Sequence, residues 1–172
     1  MVAPRQLRAG RLDTFDFRQA VGAFTTGVTV VTTCDASGQR YGLTANSFAS
    51  VSLDPPLVLF CVDNRAPSLQ GFITSRHFAI NVLASDQEDI AKAFARRSDD
   101  KFAGLNWRVG IFGAPLLDRC IAHIECTFEH SHPSGDHAIV IGRVHRVKAY
   151  AGEPLIFHRS QFGTVVSDMA TG

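Results

Sequence analysis

The sequence lacks most of the short signatures that announce chemistry. No Gly-x-Gly-x-x-Gly and no Gly-x-x-x-x-Gly-Lys occurs, which excludes the two common glycine-rich cradles for a nucleotide. There is no Gly-x-Ser-x-Gly elbow and no His-Glu-x-x-His, so neither a hydrolase nucleophile nor a zinc protease helix is indicated. The four cysteines, Cys34, Cys61, Cys120 and Cys126, form no Cys-x-x-Cys pair. That spacing argues against a zinc site or a disulfide framework. Each lies in an apolar, β-like run, where a cysteine behaves as a small hydrophobe, and a reducing cytoplasm is the expected setting. Charge is also scarce: charged residues are 19% of the chain and the formal net charge is +1, which points away from nucleic acid. Lysine appears only at Lys92, Lys101 and Lys148. No apolar run approaches the length of a membrane span, so a soluble protein without a membrane partner is expected. Residues 1–12 carry Arg5, Arg8 and Arg11 without an apolar block; this reads as a flexible start rather than a signal peptide.

What the sequence does have is apolar residues, at 45%, patterned mostly for strands. Phe17, Val21 and Phe24 are spaced for a helix over 13–24 with Asp13 or Thr14 at its cap. The β-branched run 28–33, a turn at 35–38 and a second run from Arg40 read as a hairpin. A third strand is expected at 48–53. A fourth, at 57–62, is almost wholly apolar and is expected to be buried on both faces. Ser68 is placed to cap a short helix over 69–75, and a strand follows at 77–83. Ser85 and Glu88 have capping-box spacing for a helix running to about Arg97, with Ile90, Ala91 and Phe94 turned inward. A strand is expected at 107–112, then a long hairpin of 120–130 and 137–150. About seven strands with few helices, and no regular strand–helix alternation, predict a mainly β barrel or sandwich with peripheral helices. The expected organisation is one domain at 13–165 between short tails at 1–12 and 166–172.

Three segments are candidates for chemistry. From Gly42 to Ser52 small and hydroxyl residues crowd a strand connection; they would let a flat ligand approach the backbone and bond its polar edge. An ordinary polar connection has the same composition, and composition alone favours it. The segment Cys61-Val62-Asp63-Asn64-Arg65-Ala66-Pro67-Ser68 ends in a serine at a helix start, where orphan amides and the helix dipole suit a phosphate, with Arg65 adding charge. A capped surface loop is the plain alternative. Gly135-Asp136-His137 is good turn chemistry, and its histidine could also meet a second ligand. His130 and His132 share a strand face near Glu129, but no third ligand has a defining spacing, so no metal is expected.

Read together, these segments resemble the short-chain flavin reductase family, the reductase components of two-component flavin monooxygenases. The matching stretches run in order through Phe24-Thr25-Thr26-Gly27-Val28-Thr29-Val30-Val31-Thr32-Thr33, then Gly42 to Ser52 with Leu53-Asp54-Pro55-Pro56-Leu57-Val58. They continue through Asn64 to Ser68, Phe78-Ala79-Ile80-Asn81-Val82-Leu83 and Gly135-Asp136-His137. The resemblance implies a Greek-key, FMN-binding split β-barrel, a homodimer, FMN or FAD as the flavin, and NADH or NADPH as co-substrate. It implies that Thr44, Ala45, Asn46 and Ser47 line the isoalloxazine ring. Ser50, Val51 and Ser52, with Cys61, Asn64 and Ser68, would follow the ribityl chain and phosphate. Lys101 and Phe102 resemble a family pair near the same ligand, and Gly135, Asp136 and His137 match the motif for the nicotinamide dinucleotide. The chain departs from the family's tyrosine-rich close after Pro154-Leu155, which leaves the nicotinamide wall open. Hydride transfer between two cofactors needs no protein nucleophile, so no catalytic residue in the strict sense is expected. The implied partner is a monooxygenase receiving reduced flavin. A flavin-storage protein on the same barrel is the alternative, and a pyridoxamine-type oxidase is disfavoured by the lack of an arginine–lysine cluster for a second phosphate.

Overall fold

Twelve strands and three helices are formed by the described residues, 12–98 and 100–165, of the computed structural model. The expected tail at 166–172 and residues 1–11 of the expected N-terminal tail lie outside them. Helix α1 is Thr14–Gly22, and the Asp13 carboxylate caps it by accepting the Phe15 N–H at 2.7 Å. It stops short of the expected Phe24, and Phe15, Phe17, Val21 and Phe24 are all exposed. The helical spacing is therefore real, but its apolar side is left exposed among the described residues.

Strands β1 (Thr26–Gly27), β2 (Thr29–Cys34) and β3 (Arg40–Ala45) follow. The β2–β3 hairpin is closed by Asp35, whose carboxylate accepts from the Ser37 and Gln39 amides and the Tyr41 hydroxyl. Next come β4 (Ala49–Leu53), β5 (Pro56–Asp63), α2 (Ser68–Ser75), β6 (His77–Val82) and α3 (Glu88–Ala95). The remainder is β7 (Trp107–Val109), β8 (Pro115–Leu117), β9 (Ala122–Ser134), β10 (His137–Ala149), β11 (Leu155–His158) and β12 (Gln161–Thr164).

Seven strands form one antiparallel sheet in the order β3-β2-β6-β9-β10-β5-β4. Its two edge strands, β3 and β4, are consecutive in sequence and joined only by Asn46, Ser47 and Phe48. Laid flat, six strand spacings would separate the edges by roughly 29 Å. The link from Ala45 to Ala49 reaches at most about 15 Å. The sheet must therefore curl until its edges nearly meet, yet β3 and β4 do not pair. A mainly β split barrel results. Its mouth, between β3 and the β4–β5 hairpin, is set by the shortness of one connection.

The barrel interior is packed by Val31, Phe60, Phe72, Phe78, Ile80 and Val140 among others. Phe60 meets Phe72 and Phe78 edge-on, with centroids 5.4 and 5.1 Å apart; such pairs add to the roughly 1.5–3 kcal/mol that each buried large side chain contributes. A second cluster lies outside β2, where Val28, Val30, Ala91, Phe94 and Phe102 pack. Cys120 and Cys126 are buried, and burial pushes both thiols up to about 12, in keeping with small hydrophobes.

Several expectations are corrected. Strand β5 is not buried on both faces: Val58, Phe60 and Val62 point inward, while Leu57, Leu59 and Cys61 are half-buried. Ser68 is the first helical residue of α2 rather than its cap, because Pro67 occupies the cap position and has no side-chain donor or acceptor. The Ser85–Glu88 box does not form. Gln87 caps α3, and its amide instead accepts from Ala84 N–H and donates to the Asp118 carbonyl, both at 2.9 Å. The strand expected at 107–112 is a small hairpin, β7–β8, whose turn passes Gly113 at φ +93. Strands β11 and β12 were not foreseen.

Candidate functional site

A cleft of about 1350 Å³ opens where the barrel is split. That exceeds the ~300–1,000 Å³ of ordinary small-molecule sites and leaves room for two flat ligands. One wall is β3 and the link that follows it. The facing wall is the end of β5 and the loop into α2. The third is the end of α3 with Lys101 and Phe102, and His137 stands at the rim.

The β3 wall follows from alternation. Tyr41, Leu43 and Ala45 turn toward the interior and α2: Leu43 and Ala45 join the barrel core, and the Tyr41 ring lies against Gly71 of α2. Arg40, Gly42 and Thr44 turn to the α3 side. Gly42 is required there, because a Cβ would overlap the Phe94 ring. Thr44 donates its hydroxyl to the Ala91 carbonyl of α3 at 2.6 Å. Across the split, the Cys61 amide donates to Ser47 Oγ at 2.9 Å, so the link is tied to β5 by one side chain.

The loop from β5 to α2 is held by its own charges. Asp63 accepts from Arg65 Nε at 3.1 Å and Nη2 at 2.8 Å, and the guanidinium holds the Asp63 carboxyl well below the usual carboxylate range. The Asn64 amide and side chain donate to the Asp136 and Gly135 carbonyls at 2.9 and 3.2 Å. Through these bonds the β9–β10 turn is fixed to the cleft, with Gly135 in the left-handed region at φ +63. His137 pairs across the sheet with Asp63, and its Nδ1 is 2.7 Å from the Asp136 carboxylate. The first turn of α2 has no side-chain cap bond; the Leu69 amide donates to the Ala66 carbonyl at 3.0 Å, and Ser68, the first helical residue, lines the cleft.

Lys101 bridges two elements. Its ammonium donates to the Gly42 carbonyl at 3.1 Å and the Phe94 carbonyl at 2.8 Å, and partial burial lowers its pKa. Phe102 packs edge-on to Phe94 at 5.0 Å.

Of the residues singled out from sequence, Thr44, Ala45, Asn46, Ser47, Cys61, Ser68, Lys101, Phe102 and His137 converge on the cleft. Asn64, Gly135 and Asp136 stand behind its rim as supports. Ser50, Val51 and Ser52 do not line it; they lie on β4, the outermost strand of the sheet. Asp63 and Arg65 of the second candidate segment line the cleft too, while sequence reasoning missed Arg40, Tyr41, Arg96 and Arg97. Alternation from Thr44 through Gly42 would have found Arg40; nothing in the sequence ties Arg96 and Arg97 to β3. Near the same end of the sheet, His130 and His132 rings sit 4.8 Å apart, while Glu129 is engaged by Arg143 at 2.8 and 3.0 Å. No group of three or more potential metal ligands occurs among the described residues, and no helix among them is long and apolar enough to cross a membrane.

Comparison with known proteins points the same way as the geometry. A family model described as "Flavin reductase like domain" matches residues 21–165. A probable flavin reductase of Rhizobium meliloti (strain 1021) is 48% identical over 127 residues, covering 74% of this chain and 41% of that protein. The chain thus spans less than half the length of that relative. The reductase subunit HsaB of a flavin-dependent monooxygenase from Rhodococcus jostii (strain RHA1) is 40% identical over 161 residues, covering 93% of this chain and 82% of HsaB. Among solved structures, the NADH:FAD oxidoreductase SgcE6 of Streptomyces globisporus, in complex with NAD and FAD fragments, superposes with a TM-score of 0.86 at 39% identity, covering 94% of this chain and 99% of that one.

Proposed function

Because the chain belongs to the flavin reductase-like domain family, we propose that it catalyses NAD(P)H-dependent reduction of free FMN or FAD, by direct hydride transfer to flavin N5, and supplies the reduced flavin to a partner monooxygenase. One observation carries this reading: the small-residue segment Thr44–Ser47, the open first turn of α2 and His137 all face one cleft. The cleft fits a flavin. Its wall of short side chains admits a flat ring close to the backbone, and the uncapped amides beside Ser68 suit a phosphate.

On this proposal Thr44, Ala45, Asn46 and Ser47 line the ring, and Cys61 and Ser68 follow the ribityl chain and phosphate, with Asn64 fixing the loop. When bound, the flavin accepts hydride from the nicotinamide, and the cofactors themselves carry that chemistry. The protein's part is positioning. Lys101 locks α3 to β3 through two carbonyls, so the wall behind the ring cannot drift. Asp136 orients the His137 ring toward the open half of the cleft, where the nicotinamide would stack within about 3–3.5 Å of its acceptor. A storage protein would have no use for a second ring site with an oriented histidine, which favours the enzyme.

The domain is proposed to be 13–165, acting in the cytoplasm as a homodimer. Exposed Phe15, Phe17, Val21, Phe24 and Leu53, the last 92% exposed, are apolar side chains that a second copy would cover. The family-implied role of Ser50, Val51 and Ser52 is kept as a proposal for that dimer. Following NADH consumption with FMN, FAD and riboflavin added in turn tests the reading. Flavin-dependent turnover that survives a chelator is expected. No turnover with any flavin would defeat it.

A further inference from the structure

A second, smaller cavity of about 250 Å³ shares no lining residue with the cleft. Three elements bound it, the β2–β3 turn, the end of α2 and the β7–β8 turn, with His77 between them. Its place follows from the fold. Phe78 and Ile80 turn into the barrel core, so His77 and Ala79 turn outward. The register that pairs Thr32 with Ala79 then sets Cys34 across from His77. A Cβ on Gly113 would stand 3.7 Å from His77 Nε2, so glycine in the β7–β8 turn leaves that edge of the ring open.

The polar groups of this cavity fall into two sets. The Asp35 carboxylate is used by the Ser37 and Gln39 amides and the Tyr41 hydroxyl. The Cys34 thiol donates to the Asp35 carbonyl at 3.6 Å, and the Thr74 hydroxyl donates back to the Gln70 carbonyl at 2.8 Å. Ser75 Oγ and His77 Nε2, by contrast, are both buried without a hydrogen-bond partner. Buried polar groups are nearly always paired, so two orphans in one cavity call for a missing group. His77 Nδ1 lies 2.7 Å from the Ser75 carbonyl, which can only accept. Nδ1 therefore carries the proton, and the neutral ring offers a lone pair at Nε2. One hydroxyl satisfies both orphans, donating to His77 Nε2 and accepting from Ser75 Oγ–H. A water has the same hydrogen bonds to give, but it fills only ~30 Å³, whereas a cavity of ~150 Å³ already holds a benzene ring. Phe112, braced edge-on against the His145 ring at 5.1 Å, and Ala36 supply an apolar wall for such a body. No lysine or arginine lines the cavity, so an anionic ligand is not matched.

We propose that this cavity binds a small neutral hydroxy compound of about phenol's size, its hydroxyl between Ser75 and His77 and its apolar body against Phe112. The site stands whether or not the cleft takes flavin. Phenol and toluene are titrated in turn against the full chain and against Ser75→Ala by saturation-transfer NMR, and a phenol-soaked crystal locates the ligand. Phenol should bind the parent chain about tenfold or more tighter than toluene, and Ser75→Ala should lose that advantage. Without ligand, Ser75→Ala removes a hydroxyl that has no protein partner, so its melting temperature should equal the parent's or exceed it. A lower melting temperature shows the hydroxyl already bonded within the protein and overturns the proposal. Phenol that does not bind, an advantage over toluene that is absent or survives Ser75→Ala, or density with only waters at Ser75 and His77 overturns it as well. If Ser75→Ala does not fold, His77→Phe replaces it, and the same loss of phenol's advantage is required.

Discussion

The barrel has two walls built on opposite principles. In the closed wall, made of β2, β6, β9 and the strapped-on β7–β8 hairpin, the buried Thr32, Asn81, His123 and Glu125 are all matched to backbone, while His77 Nε2 at the start of β6 is buried without a partner. Asn81 donates to the Val30 carbonyl and accepts the Leu117 amide at 2.8 Å. Buried His123 is 2.8 Å from the Leu117 carbonyl, to which Nε2–H donates, and Glu125 accepts the Ile111 amide. Four polar side chains, with Thr32 on the Pro115 carbonyl, fasten one hairpin. In the split wall short polar side chains lie along a cleft, the first turn of α2 has no side-chain cap bond, and Arg40 Nε is buried without a hydrogen-bond partner. Satisfied polar groups specify structure; uncommitted ones beside a cavity are what a ligand can use. The closed wall should therefore answer to stability measurements and the split wall to binding measurements.

The largest departure is expected from Asn81→Ala. It strands the Leu117 N–H in a dry interior, costing about 1–3 kcal/mol in a denaturant titration. Flavin affinity of the protein that remains folded should be unchanged; a selective loss of flavin binding would break the division between the walls. Gly42→Ala tests the split wall itself, where β3 packs on α3. Its Cβ collides with Phe94, so stability should fall by about 1–3 kcal/mol and flavin affinity should fall with it, because β3 and Lys101 must shift together.

The strand order was mostly legible, and the failures have physical causes. Both hairpins, β2–β3 and β9–β10, carry turn residues with their own chemistry, Asp35 with Gly38 and Gly135 with Asp136, and both were found. The β11–β12 turn is made by Arg159 and Ser160 at positive φ, residue types that announce no such turn, and it was missed. The capping box at Ser85 failed because Gln87 found better tertiary partners, and β5 looked doubly buried because Leu57, Leu59 and Cys61 are apolar on the face left half open. At the site, Thr44–Ser47 could be read from composition plus family resemblance. Arg40 and the α3 arginines could not, since only the curl forced by the link 46–48 brings them together.

His137→Ala should leave melting unchanged and raise the apparent KM for NADH by about 3- to 10-fold, with FMN affinity nearly constant; weaker FMN with normal NADH kinetics would place the histidine on the wrong ligand. The smallest effect concerns pH. Burial lowers the pKa of His123 below its ordinary value of 6.5, so the unfolded chain takes up a proton there before the folded one does. Its contribution to stability is complete above that value and declines as pH falls through it. The melting temperature should drop over the unit below 6.5, and less so in His123→Gln; an identical pH profile in the variant would remove His123 from the closed wall's account.

The central claim is that the split of the barrel, and not the apolar faces of α1 or β4, is where flavin sits. A crystal structure of the full chain soaked with FMN tests it most directly. The account predicts ring density along Thr44–Ser47 with the phosphate at the first amides of α2 beside Ser68. Flavin density at any other surface, with the cleft between β3 and α2 holding only solvent, would contradict it.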